Sequence, residues 1–246
     1  MSKDRNLSRR GFMRLCAATA ALVGGNPALL AQEGGTARRY DRARLVDAKE
    51  RALTPDDLKV GENYIFHYPF VATPCFLIDL GKPAEPVWLN TEDGRRYRWD
   101  GGIGPRRSLV AFSAICAHKM THPAREVSFI NYRHRPATFR DSDYRTAQQA
   151  RVIYCCSEKS VYDATAGARV LGGPARQPLA TVLLEQDERG ELYAVGVAGG
   201  ALFDAFFERF SSRLALELRT DDVRRPVTGS ATVLPLDEYC RNQILC

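Results

Sequence analysis

Two short stretches hold residue types able to bind metal or act as nucleophiles. Cys116 and His118 stand two apart at the end of Val110-Ala-Phe-Ser-Ala-Ile-Cys-Ala-His-Lys-Met120, an apolar run that reads as a strand. Cys155 and Cys156 follow the β-rich run Val152-Ile-Tyr154 and open into Ser157-Glu-Lys-Ser-Val-Tyr-Asp163. Thiolate and imidazole suit iron–sulfur clusters and zinc. A Cys and a His are also the parts of a nucleophile–base pair. The spacing supplies no separate group to position that base, so a hydrolase is not supported. Cys155 and Cys156 would do thiol redox chemistry only through a bond between neighbours, a strained arrangement.

Both stretches leave β-rich runs and end in loop-like residues, so two loops at one end of a β domain would bring them together. The runs at 63–70, 73–80, 87–89, 96–99, 107–115, 126–132, 151–155, 180–185 and 190–196 are short and closely spaced. Turn signals such as Gly81-Lys-Pro83, Glu92-Asp-Gly94 and Glu188-Arg-Gly190 separate them. The expected class is all-β, an antiparallel sandwich or small barrel. Leu202, Phe203, Phe206, Phe207, Phe210, Leu214 and Leu218 recur at helical spacing, opposite Asp204, Glu208, Arg209 and Arg213. They predict a C-terminal helix packed on the β domain. The expected division is a signal or anchor at 1–31, a linker with one short helix at 32–60, the β domain at 61–200, and the helix with an extended tail at 201–246. Cys75, in a strand-like run, reads as a small buried hydrophobe.

Cys116-x-His118 followed by Cys155, Ser160, Tyr162 and Asp163 in register resembles the cluster-binding sequence of Rieske-type iron–sulfur proteins. The resemblance covers roughly residues 61–196. It implies a [2Fe–2S] cluster, with Cys116 and Cys155 on the ferric iron and His118 on the redox-active one. Ser160 and Tyr162 would donate hydrogen bonds to the cluster and to cysteine sulfur. Pro174, in Gly172-Gly-Pro-Ala-Arg-Gln-Pro-Leu179, resembles the proline loop that shields the cluster, and His118 would be the exit for the electron.

The departures are specific. Glu158 stands where the family has its second histidine, Cys156 replaces a Pro and Lys159 a Gly. Thr121 and Ser157 occupy the positions of the disulfide that often joins the two loops. An insertion with Arg133-His-Arg-Pro136 and a polar run to Gln149 lengthens the spacing. As fourth ligand, Glu158 adds negative charge and lowers the potential relative to a two-histidine centre. Losing the second imidazole also argues against quinol docking. His122 and His134 are the other candidates for fourth ligand, while His67 reads as a core or surface histidine. The competing reading is a cluster-free scaffold, or one holding zinc through Cys116, His118 and Cys155. A Rieske oxygenase is excluded because the remaining residues hold no catalytic iron domain.

The chain has 246 residues and a net charge of +6. Residues 1–31 carry +4 of it, as Lys3, Arg5, Arg9, Arg10 and Arg14 against Asp4. No basic stripe interleaved with aromatics follows, so nucleic acid is not an expected partner. Asn6-Leu-Ser-Arg-Arg-Gly-Phe-Met-Arg14 resembles the twin-arginine export signal, and Leu15–Ala31 is uncharged. The expectation is a protein on the periplasmic side of the bacterial inner membrane, anchored or released. Its partner would be a cytochrome or a periplasmic oxidoreductase subunit. In that oxidising compartment Cys240 and Cys246 could close a small loop, or either could bond elsewhere.

Overall fold

The computed structural model describes residues 37–246. The twin-arginine-like segment, the apolar run behind it and the first residues of the expected linker lie outside the described residues. No helix among the described residues is long and apolar enough to cross a membrane.

Among the described residues the chain is all-β with one long helix, as its short β-rich runs predict. The main sheet has eight strands. In spatial order they are β16 (Gly229–Thr232), β1 (Ala37–Val46), β15 (Leu192–Ala198), β14 (Thr181–Gln186), β6 (Leu109–Ser113), β3 (Pro74–Asp79), β2 (Tyr64–His67) and β17 (Leu234–Pro235). Only Val233 separates β16 from β17, which lie at opposite ends of this order, so the chain nearly closes the sheet into a barrel. A second sheet runs β13 (Arg169–Gly172), β12 (Ser160–Asp163), β11 (Val152–Cys155), β8 (Ile130–Arg133). Two hairpins stand beside them: β4 (Val87–Asn90) with β5 (Arg96–Trp99), and β9 (Ala137–Arg140) with β10 (Thr146–Gln149).

Both faces of the main sheet are covered, which is why β3 and β6 read as unbroken apolar runs rather than alternating ones. Phe76, Ile78, Val110 and Phe112 point to one side and share a core with Ile153, Cys155 and Tyr162 of the second sheet. Leu77, Leu109 and Ala111 point to the other and pack with Leu45, Phe203, Phe206 and Phe207. The last three belong to α1 (Leu202–Leu218), which buries its Phe203, Phe206, Phe207 and Leu214 stripe as its spacing predicts. Each such phenyl contributes about 2–3 kcal/mol by leaving water.

Two boundaries differ from expectation. Residues 37–46, expected to be linker, form β1 between β15 and β16. Arg38, Arg39, Arg42 and Arg44 are exposed along it, so only Ala43 and Leu45–Val46 give a buried apolar signal. The backbone ladder and the stack of Arg42 on the Tyr193 ring hold the rest. The short helix expected in 32–60 is a single 3-10 turn, Pro55–Asp57, capped by Thr54. The polar run to Gln149, read as part of an insertion, forms the β9–β10 hairpin.

Candidate metal centre

The structure brings Cys116, His118, Cys155, Glu158, Ser160, Tyr162 and the loop of Pro174 to one end of the second sheet. The first loop leaves β6 at Ser113 and turns tightly. Cys116 N–H donates to Thr121 O at 2.8 Å and Met120 N–H to Cys116 O at 2.9 Å. The second loop is the turn of the β11–β12 hairpin. Cys155 pairs with Ser160 across it and with Ile130 of β8 on its other side. Cys156 N–H donates to Phe129 O at 2.7 Å, and Lys159 turns the chain at φ 58. Gly is favoured in that conformation, and a lysine holding it indicates that the surroundings over-determine the turn.

Cys116 and Cys155 are fully buried and face each other. The Cys155 thiol beside it lowers the pKa of Cys116 to about 6 against the opposing cost of burial, with help from the Tyr162 hydroxyl. The second proton of the pair is correspondingly held: Cys116 and burial push Cys155 far up. Tyr162 Oη lies 3.2 Å from Cys116 Sγ and accepts from Ala117 N–H at 3.0 Å. That acceptance leaves its own O–H to donate to the sulfur, and burial keeps the phenol protonated. The Ser160 hydroxyl is buried with no hydrogen bond of good geometry, though it stands near enough to the Cys116 sulfur to help lower its pKa.

His118 and Glu158 form a second pair, nearer solvent. His118 Nδ1 is 3.2 Å from Glu158 Oε2, yet the contact lacks hydrogen-bond geometry and leaves that buried nitrogen unpartnered. Lys119 Nζ approaches the same carboxylate oxygen at 3.5 Å, and Ser157 Oγ donates to Glu158 Oε1 at 3.2 Å. Among the described residues no three of His, Cys, Asp and Glu converge on one metal position. The donors come as two thiols and, separately, one imidazole with one carboxylate. A single zinc ion needs three or four donors on one point. Two irons bridged by sulfide need two donors each, and the orphaned His118 nitrogen and Ser160 hydroxyl fit such a group.

The proline loop presses on the second loop. A Cβ on Gly173, at φ 82, would come within 2.1 Å of Lys159 O, so only glycine lets Pro174 sit there. Pro174 and Lys159 line a cleft of about 560 Å³ with Tyr154 and with Arg140 and Tyr144 of the β9–β10 hairpin. The hairpin's part in this wall had no signal beyond its polar alternation.

The other histidines have other partners. The His122 ring stands edge-on to Phe206 and Phe210 of α1, with Nδ1 2.9 Å from Met120 O. His134 Nδ1 is 3.2 Å from Tyr132 Oη, and His67 packs against Tyr239. The sequence leaves the pairing of Cys156, Cys240 and Cys246 open. Cys246 bonds Cys156, not Cys240, which stays a buried free thiol. The separation of 90 residues offers no spacing cue.

No family model matches the chain. It is 29% identical over 195 residues to the iodate reductase subunit IdrB of Denitromonas iodatirespirans, covering 78% of this chain and 82% of that protein. It is 26% identical over 193 residues to iodate reductase subunit IdrB of Pseudomonas sp. (strain SCT), covering 78% and 80%. The soluble domain of Rieske protein II from Sulfolobus acidocaldarius aligns with a TM-score of 0.44 at 25% identity, over 64% of this chain and 78% of that domain.

Proposed function

We propose that this chain holds a [2Fe–2S] cluster and passes single electrons as an accessory subunit of a periplasmic oxidoreductase. Cys116 and Cys155 hold one iron, and His118 with Glu158 holds the other. The observation that carries the reading is the division of the buried donors into a facing thiol pair and a separate imidazole–carboxylate pair with an orphaned nitrogen. Its likeness to proteins named as subunits of a reductase supports an oxidoreductase partner. The twin-arginine-like residues Ser8, Arg9, Arg10 and Phe12 support export, with a membrane tether or release.

A bound cluster supplies a one-electron couple; the chain sets its energy. Tyr162 donates to the Cys116 sulfur and so favours the more negative, reduced form. Glu158 works against this, because a carboxylate adds negative charge where a second imidazole would add none. His118 is the half-exposed ligand and gives the electron its way out. Pro174 and Gly173 cover the second loop and limit water.

The test is iron and acid-labile sulfide in the full chain purified without oxygen. Two of each per chain support the reading. Zinc, or no metal in protein shown to be folded, would overturn it.

A further inference from the structure

We infer that the C-terminal segment Arg241–Cys246 is the clamp that fixes the two ligand loops relative to each other, with Cys246 and Arg133 as positioning residues. The inference rests on the reading that these loops hold the cluster, but its structural half can be tested without metal.

Neither loop is bonded to the other, since Cys116 and Cys155 are both free. The tail reaches both. After the single helical turn Leu236–Tyr239, Arg241 N–H donates to Arg125 O at 3.0 Å, and Arg241 Nη1 meets Glu126 Oε2 at 2.9 Å. Strand β18 (Asn242–Gln243) then runs parallel to β7 (Val127–Ser128), the short strand that follows the first loop and leads into β8. Ile244 N–H donates to Ser128 O at 2.9 Å, and Asn131 Nδ2 donates to Ile244 O at 2.9 Å. Two residues later Cys246 is bonded to Cys156, with Cα atoms 5.7 Å apart.

Cys156 adjoins the ligand Cys155, so this bond fixes the backbone of the second loop one residue from a ligand. Arg133 seats the end: its Nη2 donates to Cys246 O at 3.0 Å, and Cys246 N–H donates to Cys156 Sγ at 3.0 Å. One six-residue segment is therefore fastened to the exit of the first loop by a ladder and to the second loop by a covalent bond. Without it, the turn from Cys156 to Lys159 keeps the Cys155–Ser160 pair, the Cys156-to-Phe129 hydrogen bond, the packing of Gly173 on Lys159 O and the half-exposed Lys119–Glu158 contact, none of them covalent.

The experiment uses the full chain in metal-free and metal-loaded forms. Non-reducing peptide mapping should recover a Cys156–Cys246 cross-link with Cys240 alkylatable; a Cys240–Cys246 cross-link overturns the clamp. In metal-free Cys246→Ser, amide exchange at 127–133 and 155–160 should quicken at least tenfold while β14 and β15 hold their rates. Arg133→Gln, which keeps the disulfide, should quicken the same amides by less. It decides the matter if Cys246→Ser loosens the whole sheet. In the loaded form, Cys246→Ser should surrender iron to a chelator at least tenfold faster. Unchanged exchange overturns the clamp even if iron is present. Absence of iron in the wild type overturns the cluster reading and leaves the exchange result to judge the clamp.

Discussion

The two ligand loops reach the same site by different means. The first is closed on itself by two backbone hydrogen bonds across residues 116–121 and anchored by His122 between Phe206 and Phe210 of α1. The second is a hairpin turn with a lysine in a glycine-like conformation. Its geometry is imposed from outside by Gly173 against Lys159 O and by the bond to Cys246. One loop is closed by its own backbone and docked on α1, while the other is shaped by the proline loop and the tail. The first should therefore answer chiefly to changes in α1, and the second to changes in the tail.

Removing a thiol from either loop breaks both equally. Cys116→Ala or Cys155→Ala should reduce bound iron to about a tenth or less, since the thiol-bound iron would be left short of a protein ligand and the cluster would not assemble. Colorimetric iron content reads this directly, and retention of most of the iron would mean the thiols are not ligands.

Cys246→Ser separates the loops. Releasing a cross-link that closes 90 residues should cost about 4 kcal/mol of stability. Thermal unfolding under non-reducing conditions should fall by roughly 10 °C for a chain of this size. A midpoint unchanged within error would mean the bond does not form. Phe206→Ala is the matching cut at the first loop. It should cost about 3 kcal/mol, measured by urea unfolding, while exchange in the second loop stays at wild-type rates.

Protonation probes the packing of two buried histidines, His122 behind the first loop and His67 of β2. Burial lowers the pKa of His122, and burial with the nearby Arg125 lowers that of His67 to about 4. Both histidines bind protons in the unfolded chain before the folded one, so stability is full above about pH 6.5 and declines below it. The decline for His67 continues to about pH 4 and amounts to roughly 3 kcal/mol. His67→Gln should flatten that slope in urea titrations between pH 4 and 7; an unaltered slope would assign the loss to other groups. Smallest of all, Lys119→Ala removes an exposed partner of Glu158 and should change stability by no more than about 0.5 kcal/mol.

How much of this could be read from the sequence follows the same division. Cys116 with His118, and Cys155 through Asp163, are local patterns, and local spacing is what a sequence displays. The apolar runs of β3 and β6 and the 3.6-residue stripe of α1 are legible for the same reason. β1 is not, because the arginines exposed along it erase the alternation that its backbone ladder does not need. The partner of Cys246 is not legible either, since it is fixed by the parallel pairing of β18 with β7 across more than 100 residues. What escapes is what holds the second loop from outside: the tail and the β9–β10 hairpin beside Pro174.

The central claim is that two kinds of donor pair share one cluster, thiols inward and His118 with Glu158 outward. Pulsed EPR on the reduced, iron-loaded full chain tests it most directly. The account predicts coupling to one strongly bound histidine nitrogen. In Glu158→His a second nitrogen should appear, with a reduction potential higher by on the order of 100 mV. Two nitrogens already present in the wild type, or none, would contradict it.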